Sequence, residues 1–150
     1  MKAACLGGGP AGLYFAISMR LRDASHDITV FERNRPSDTF GWGLVLSDDA
    51  LAKVKANDSV SYATTKQHFV YWDDIAVVKD GLRQVASGHG FSGIGCMQLL
   101  TILYARAKEL GVELVFPAEV DDTKELMDQF NYALLTRSQR ISHENLRLRG

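Results

Sequence analysis

The spacing of apolar and polar residues changes several times along this chain, and each change predicts an element. Lys2 to Leu6 is a short apolar run that stops at glycine, as a buried parallel strand does. From Pro10 onward Leu13, Ala16, Ile17 and Leu21 recur at helical spacing, with Arg20 and Arg22 on the polar side and in the last turn. Pro10 suits a first helical turn, where its missing N–H costs nothing. Ile28 to Phe31 is a β-branched second strand ending at Glu32. Residues 1 to 32 therefore predict strand, glycine turn, helix, strand, which is one βαβ unit.

Beyond it, Arg33 to Gly43 (RNRPSDTFGWG) has no period and predicts a loop, and a loop of this length in a compact domain is usually functional. Ser47-Asp48-Asp49 predicts the N-cap region of a helix through Leu51 and Val54 that ends near Asn57-Asp58. Val70 to Val78 and Leu82 to Ala86 flank Lys79-Asp80-Gly81, a hairpin signal. GHGFSGIG then reads as a glycine-punctuated connector. Leu99, Leu103, Ala107 and Leu110 line one face of a helix from Met97 to Leu110, stopped by Gly111. Val112 to Phe116 and Tyr132 to Leu135 predict two more strands. The boundary falls at 135: residues 136 to 150 hold four arginines, one acid and few apolar side chains, and are expected to form a disordered or marginally helical basic tail.

Composition narrows the classes of partner. The chain has 150 residues, 17 Lys and Arg against 18 Asp and Glu, and a formal net charge of -1, which gives no reason to expect nucleic acid or an anionic membrane. A small ligand is the expectation. Cys5 and Cys96 form neither a disulfide framework nor a paired ligand motif, and read as reduced thiols. No apolar stretch approaches the roughly 20 residues of a membrane span, so the expected location is cytoplasmic.

Gly7, Gly9 and Gly12 satisfy G-x-G-x-x-G. In that pattern the first glycine permits the tight turn, the second lets the backbone approach a pyrophosphate, and the third lets helix and strand pack closely. The phosphates sit on the N–H groups of the helix N-terminus. A glycine turn made only for packing is the alternative, but the motif follows a strand, opens a helix through Pro10 and Ala11, and precedes Glu32 by about 20 residues, where an acid accepts from a ribose hydroxyl. A carboxylate there disfavours a 2′-phosphate and leaves NAD and the ADP half of FAD both open. His68, Asp73, Asp74 and His89 match no metal-ligand spacing, so no metal is expected. Asp73 and Asp74, read as neighbours on one strand, would point to opposite faces and share no proton. No catalytic residue is singled out.

CLGGGPAGLYFAI, DITVFERNRPSDTFGWGLVLSDDAL, WDDI, GHGFSGIG and GVELVF together resemble the flavin-dependent aromatic hydroxylases, over about residues 1 to 125. Within that superfamily the chain looks like the branch acting on aryl-CoA thioesters, the salicylyl-CoA 5-hydroxylase and 2-aminobenzoyl-CoA monooxygenase type. The resemblance implies a Rossmann-like, glutathione-reductase-type α/β FAD-binding fold, incomplete at its C-terminus, with FAD as cofactor and NADH or NADPH as co-substrate. It implies that Gly7, Gly9, Gly12 and Glu32 bind the adenosine diphosphate, that Arg33 helps at the adenine end, and that Phe40, Gly41, Trp42, Gly43 and Leu44 lie on the flavin side. From residue type alone Trp42 could equally be a loop aromatic packed into the core. In such enzymes the cofactor carries the reaction while the protein positions the ring, so no catalytic triad is expected. The sequence departs from the family at Cys96, where arginine is usual, and in lacking an Asp-Gly turn after Leu135. Two other readings follow: a truncated, non-catalytic dinucleotide-binding remnant, and an NAD-dependent oxidoreductase, which the FGWG loop argues against.

Overall fold

The computed structural model describes residues 1–38, 41–88, 90–120, 126 and 128–136. Phe40, His89 and residues 137–150 of the expected tail lie outside that set. Two compact units emerge, one from Met1–Asp38 with the chain beyond Leu103, the other from Thr39–Ile102.

The first unit is built on a parallel sheet. Strand β1 (Lys2–Leu6) leads through the glycine turn into helix α1 (Pro10–Arg22), which returns to β2 (Asp27–Phe31). Two late strands, β8 (Glu113–Val115) and β9 (Tyr132–Leu135), complete the order β8-β2-β1-β9. β1 is thus interior, paired to β2 from Lys2↔Asp27 to Leu6↔Phe31 and to β9 from Ala3↔Tyr132 to Leu6↔Leu135. An interior parallel strand is covered on both faces, which is why Ala3 to Leu6 is uninterruptedly apolar and buried. α1 buries Gly12, Leu13, Ala16 and Ile17. Leu13 and Ile17, both fully buried, contribute about 1.5–3 kcal/mol each. Elsewhere in the unit Ala4, Leu6, Leu126 and Phe130 form a cluster joined by Phe31, Val120 and Leu135, with Phe31 and Phe130 edge-to-face. Asn131 fixes the start of β9 by exchanging two hydrogen bonds with Lys2: its Oδ1 accepts from the Lys2 N–H at 3.0 Å, and its own N–H donates to the Lys2 carbonyl at 2.9 Å.

The second unit holds β3 (Gly43–Ser47), α2 (Asp48–Asn57), α3 (Ser59–Lys66), β4 (Val70–Trp72), β5 (Ile75–Lys79), β6 (Leu82–Ala86) and β7 (Phe91–Gly95). β3, β7 and β4 make an antiparallel sheet in that order, and β5 and β6 a separate hairpin. Asp80 and Gly81 adopt φ of 51° and 78°, the left-handed pair of a tight hairpin, as Asp-Gly predicts. Ser47 caps α2 by accepting from the Ala50 N–H, also as expected. Helix α4 (Cys96–Glu109) starts in this unit and ends in the first, stopped by Gly111 at φ 75°.

Four sequence expectations change. The GHGFSGIG connector contains β7, the central strand of its sheet, and Gly43 already belongs to β3 rather than to the preceding loop. These glycines disguise strands because partners approach them closely: a Cβ on Gly93 would lie 3.0 Å from the Trp72 ring, and one on Gly43 would lie 2.7 Å from the Ile94 carbonyl oxygen. Helix α3 was not expected at all; it is rich in Ser and Thr and depends on Asp58, whose buried carboxylate accepts from Val60 N–H and from the Ser61 hydroxyl. Asp73 and Asp74 link β4 to β5 rather than standing side by side on one strand, and the Tyr71 hydroxyl donates to Asp73 at 2.8 Å.

Candidate dinucleotide-binding site

β1 ends at Leu6 and the chain must reverse into α1 within three residues. Gly7 makes that turn at φ 121°, a conformation that side chains oppose, and its N–H donates to the Phe31 carbonyl at 2.8 Å. Gly12 is where helix meets strand: a Cβ there would stand 2.0 Å from the Gly7 carbonyl oxygen and 3.1 Å from the Cys5 sulfur. Gly9, the N-cap of α1, is different, since a Cβ there would meet nothing within 4 Å. The first and third glycines are thus required by the protein itself, whereas the second faces open space, as a backbone does where a ligand approaches.

Pro10 occupies the first helical turn and Ala11 is exposed beside it. The first intrahelical bond runs from Leu13 N–H to the Gly9 carbonyl, so the N–H groups of Ala11 and Gly12 have no carbonyl of the helix to bond. The first turn of α1 contains no acidic residue to offset the positive end of the helix dipole, and the last turn carries Arg20 and Arg22. An anion is the complement of such an end.

Glu32 closes the turn from the side. Its Oε2 accepts from Gly8 N–H at 2.8 Å, and its Oε1 accepts from both the backbone N–H and the side-chain amide of Asn34, each at 2.8 Å. The acid that ends β2 therefore also fastens the glycine turn to the following loop, a role the spacing did not predict. Its backbone is held equally, the N–H by Val115 and the carbonyl by Ala118. Gly8 must lack a side chain for the same reason, because a Cβ would press on Glu32 Cβ at 2.9 Å.

Two hydroxyls complete the setting. Tyr104 of α4 donates to the Gly8 carbonyl at 2.9 Å, and its ring stands edge-on to Phe116 at 5.2 Å between centroids. Thr136, at the end of β9, has its hydroxyl 3.1 Å from the Leu6 carbonyl and 3.2 Å from that of Gly7. Nothing in the hydrophobic pattern marked either residue: Tyr104 lies off the apolar stripe of its helix, and Thr136 begins the stretch read as tail. Their position follows only from the sheet order. Cys5, fully buried against the same turn, has its thiol pushed up to about 11 by burial.

The remaining expected residues are divided between the two units. Arg33 is exposed and 4.0 Å from Glu119, itself more than half exposed, an ion pair of little energetic weight. Trp42, Gly43 and Leu44 belong to the second unit. Trp42 is fully solvent-exposed, so the reading of a core-packed aromatic is wrong, and its carbonyl accepts from Cys96 N–H at 3.5 Å. A Cβ on Gly41 would touch the Cys96 sulfur at 3.1 Å. Leu44, on β3 opposite Ile94, is partly exposed. An open groove of about 420 Å³, lined by Ile75, Val77, Gln84, Val85 and Ala86, lies on the hairpin and gathers no titratable group. Among the described residues no cluster of three His, Cys, Asp or Glu could hold a metal, and no helix is long and apolar enough to cross a membrane.

A parallel sheet whose first strand passes through a three-glycine turn into a helix, with an acid ending the second strand, defines a dinucleotide-binding α/β fold. Solved structures share it. The tetrameric form of 2-methyl-3-hydroxypyridine-5-carboxylic acid oxygenase matches 79% of this chain and 32% of its own at a TM-score of 0.67 and 21% identity. CtdE, solved with FAD and a substrate, matches 81% and 31% at a TM-score of 0.66 and 18% identity. By sequence, 128 residues are 42% identical to the Salicyloyl-CoA 5-hydroxylase of a Streptomyces species, covering 85% of this chain and 25% of that protein. A further 28% identity over 112 residues links it to the 3-hydroxy-4-methyl-anthranilyl-[aryl-carrier protein] 5-monooxygenase of Streptosporangium sibiricum, covering 75% of this chain and 32% of that enzyme. No protein-family profile matches. The chain is a relative of the flavin-dependent aromatic hydroxylases, and it spans a quarter to a third of the length of these two curated relatives.

Proposed function

We propose that this chain is the FAD-binding portion of a monooxygenase that hydroxylates an aromatic ring carried as a thioester, on CoA or on a carrier protein, with NADH or NADPH as reductant. The observation that carries the reading is the glycine turn. Gly9 has open space where the second glycine of the motif must admit a diphosphate, while Gly8 and Gly12 are required by contacts within the protein and Gly7 by its φ of 121°. The residues fit the adenosine diphosphate half of FAD: Gly7, Gly9, Pro10, Ala11 and Gly12 around the diphosphate, Glu32 at the ribose, and Arg33 toward the adenine. Phe40, Trp42, Gly43 and Leu44 are assigned to the flavin side on resemblance to the hydroxylases. When bound, reduced FAD would activate dioxygen for transfer to the ring. The chain's own share is to seat the diphosphate with backbone N–H groups and the α1 dipole, which demand no side-chain charge in the first turn. The thioester-linked aromatic substrate follows the names of the two curated relatives.

The test is direct. Purified protein is titrated with FAD while flavin fluorescence and the visible spectrum are recorded, and NADH and NADPH oxidation is then followed with and without salicylyl-CoA. Saturable flavin binding with thioester-stimulated oxidation supports the proposal. Flavin binding without oxidation identifies a non-catalytic dinucleotide-binding module, and failure to bind FAD or ADP at millimolar concentration overturns the reading.

A further inference from the structure

The peptide units of the glycine turn are each held from outside the turn. In a trans peptide the C=O and N–H point in opposite directions, so fixing one aims the other. The Gly7–Gly8 peptide is held at both ends: the Thr136 hydroxyl, shared with the Leu6 carbonyl at 3.1 Å, stands 3.2 Å from its carbonyl, and Glu32 accepts its N–H at 2.8 Å. The Gly8–Gly9 peptide is held at its carbonyl alone, by the Tyr104 hydroxyl at 2.9 Å. Its N–H, that of Gly9, therefore points away from Tyr104 and finds no acceptor among the described residues. That N–H lies at the N-cap of α1 and belongs to a glycine whose Cβ direction is open.

Glycine is the residue least able to hold such an orientation unaided, because its backbone is free to flip. From these contacts we infer that Tyr104 and Thr136 are positioning residues for the dinucleotide: they fix the carbonyls of Gly8 and Gly7 so that the Gly9 N–H is aimed at the diphosphate before it binds. Tyr104 is placed for this by Phe116, whose ring meets it edge-on. Thr136 is placed by β9, whose pairing with β1 continues into a bond from Thr136 N–H to the Leu6 carbonyl at 3.1 Å. Neither side chain touches the ligand in this scheme. This inference rests on the dinucleotide reading above.

Tyr104→Phe keeps the ring and its contact with Phe116 while deleting the hydroxyl, and Thr136→Val deletes the other. Isothermal titration of each full-length variant with ADP and with FAD, at a temperature where near-ultraviolet circular dichroism shows it folded, gives the dissociation constants; thermal unfolding without ligand gives the stability. Loss of one orienting hydrogen bond is expected to raise the ADP and FAD constants about fivefold in Tyr104→Phe, with a smaller rise in Thr136→Val. A purely structural role would lower the unfolding temperature and leave the constants of the folded protein unchanged, and that result in both variants overturns the inference. Should one variant fail to fold, the other decides. Wild-type protein that binds neither ADP nor FAD defeats the dinucleotide reading itself, an outcome distinct from equal binding by wild type and variants.

Discussion

Adding one methyl group at each of two glycines three residues apart is expected to damage different properties. In Gly12→Ala the new Cβ lies 2.0 Å from the Gly7 carbonyl oxygen, and nonbonded heavy atoms rest near about 3.5 Å. The obstacle is backbone, so no rotamer change relieves it. Either α1 lifts from β1, exposing Leu13, Ala16 and Ile17, or the glycine turn is pushed out of shape. Overpacking of this kind reaches about 3 kcal/mol. For a protein of this length that is a fall of about 6–12 °C in the unfolding midpoint. Gly9→Ala meets no atom within 4 Å and has φ of -73°, which alanine adopts freely, so its stability should match wild type or rise by about 0.4–1 kcal/mol. Its methyl group, however, stands in the space assigned to the diphosphate, and ADP affinity should fall at least about tenfold, or 1.4 kcal/mol. Thermal unfolding by circular dichroism and calorimetric titration with ADP measure the two effects. A Gly12→Ala protein within 2 °C of wild type, by about the resolution of such a midpoint, or a Gly9→Ala protein that binds ADP normally, would refute the assignment of roles within the turn.

Glu32→Gln replaces one acceptor oxygen by a donor, and both oxygens are engaged by N–H groups, so a donor must face Gly8 or Asn34; the expected loss is about 1–3 kcal/mol, read by denaturant unfolding, and equal stability would contradict the bonding described. In native protein at neutral pH a thiol reagent should modify Cys96 promptly and Cys5 only after unfolding, because Cys5 is fully buried and Cys96 is partly exposed. The Cys5 thiol is raised from 9.0 to about 11, so the folded state holds that proton more tightly than the unfolded chain. The stability this contributes is complete below about pH 9 and is lost as pH rises through about 11, and Cys5→Ala should flatten that alkaline decline.

The parts of the molecule that could be read along the chain are those whose cause is local. α1, α4 and the β5–β6 hairpin announce themselves by period and by Pro10, Gly111 and Asp80-Gly81, each of which acts within a few residues. The glycine turn was legible for the same reason, since its glycines, its helix and Glu32 fall within one βαβ unit. β3 and β7 were hidden because their pairing is non-local and because Gly43 and Gly93 are shaped by partners distant in sequence, Ile94 and Trp72. Tyr104 and Thr136 escaped notice on similar grounds: an isolated tyrosine on a helix and a threonine after a strand gain meaning only when α4 and β9 are brought beside the turn. Trp42 shows the opposite limit, for its residue type left burial in the core as an equal choice and the structure leaves it in solvent.

The sheet order β8-β2-β1-β9 also sets a sequence of events during synthesis. β1 leaves the ribosome well before β9, yet one of its edges pairs with that strand, whose last residue is Leu135. Until that strand emerges, β1 keeps an open apolar edge, and Gly7 lacks its contact with Thr136. The glycine turn therefore stays incomplete until residue 136 has emerged, and it closes only with a contact between residues 129 apart in sequence, the kind of non-local pairing that forms slowly.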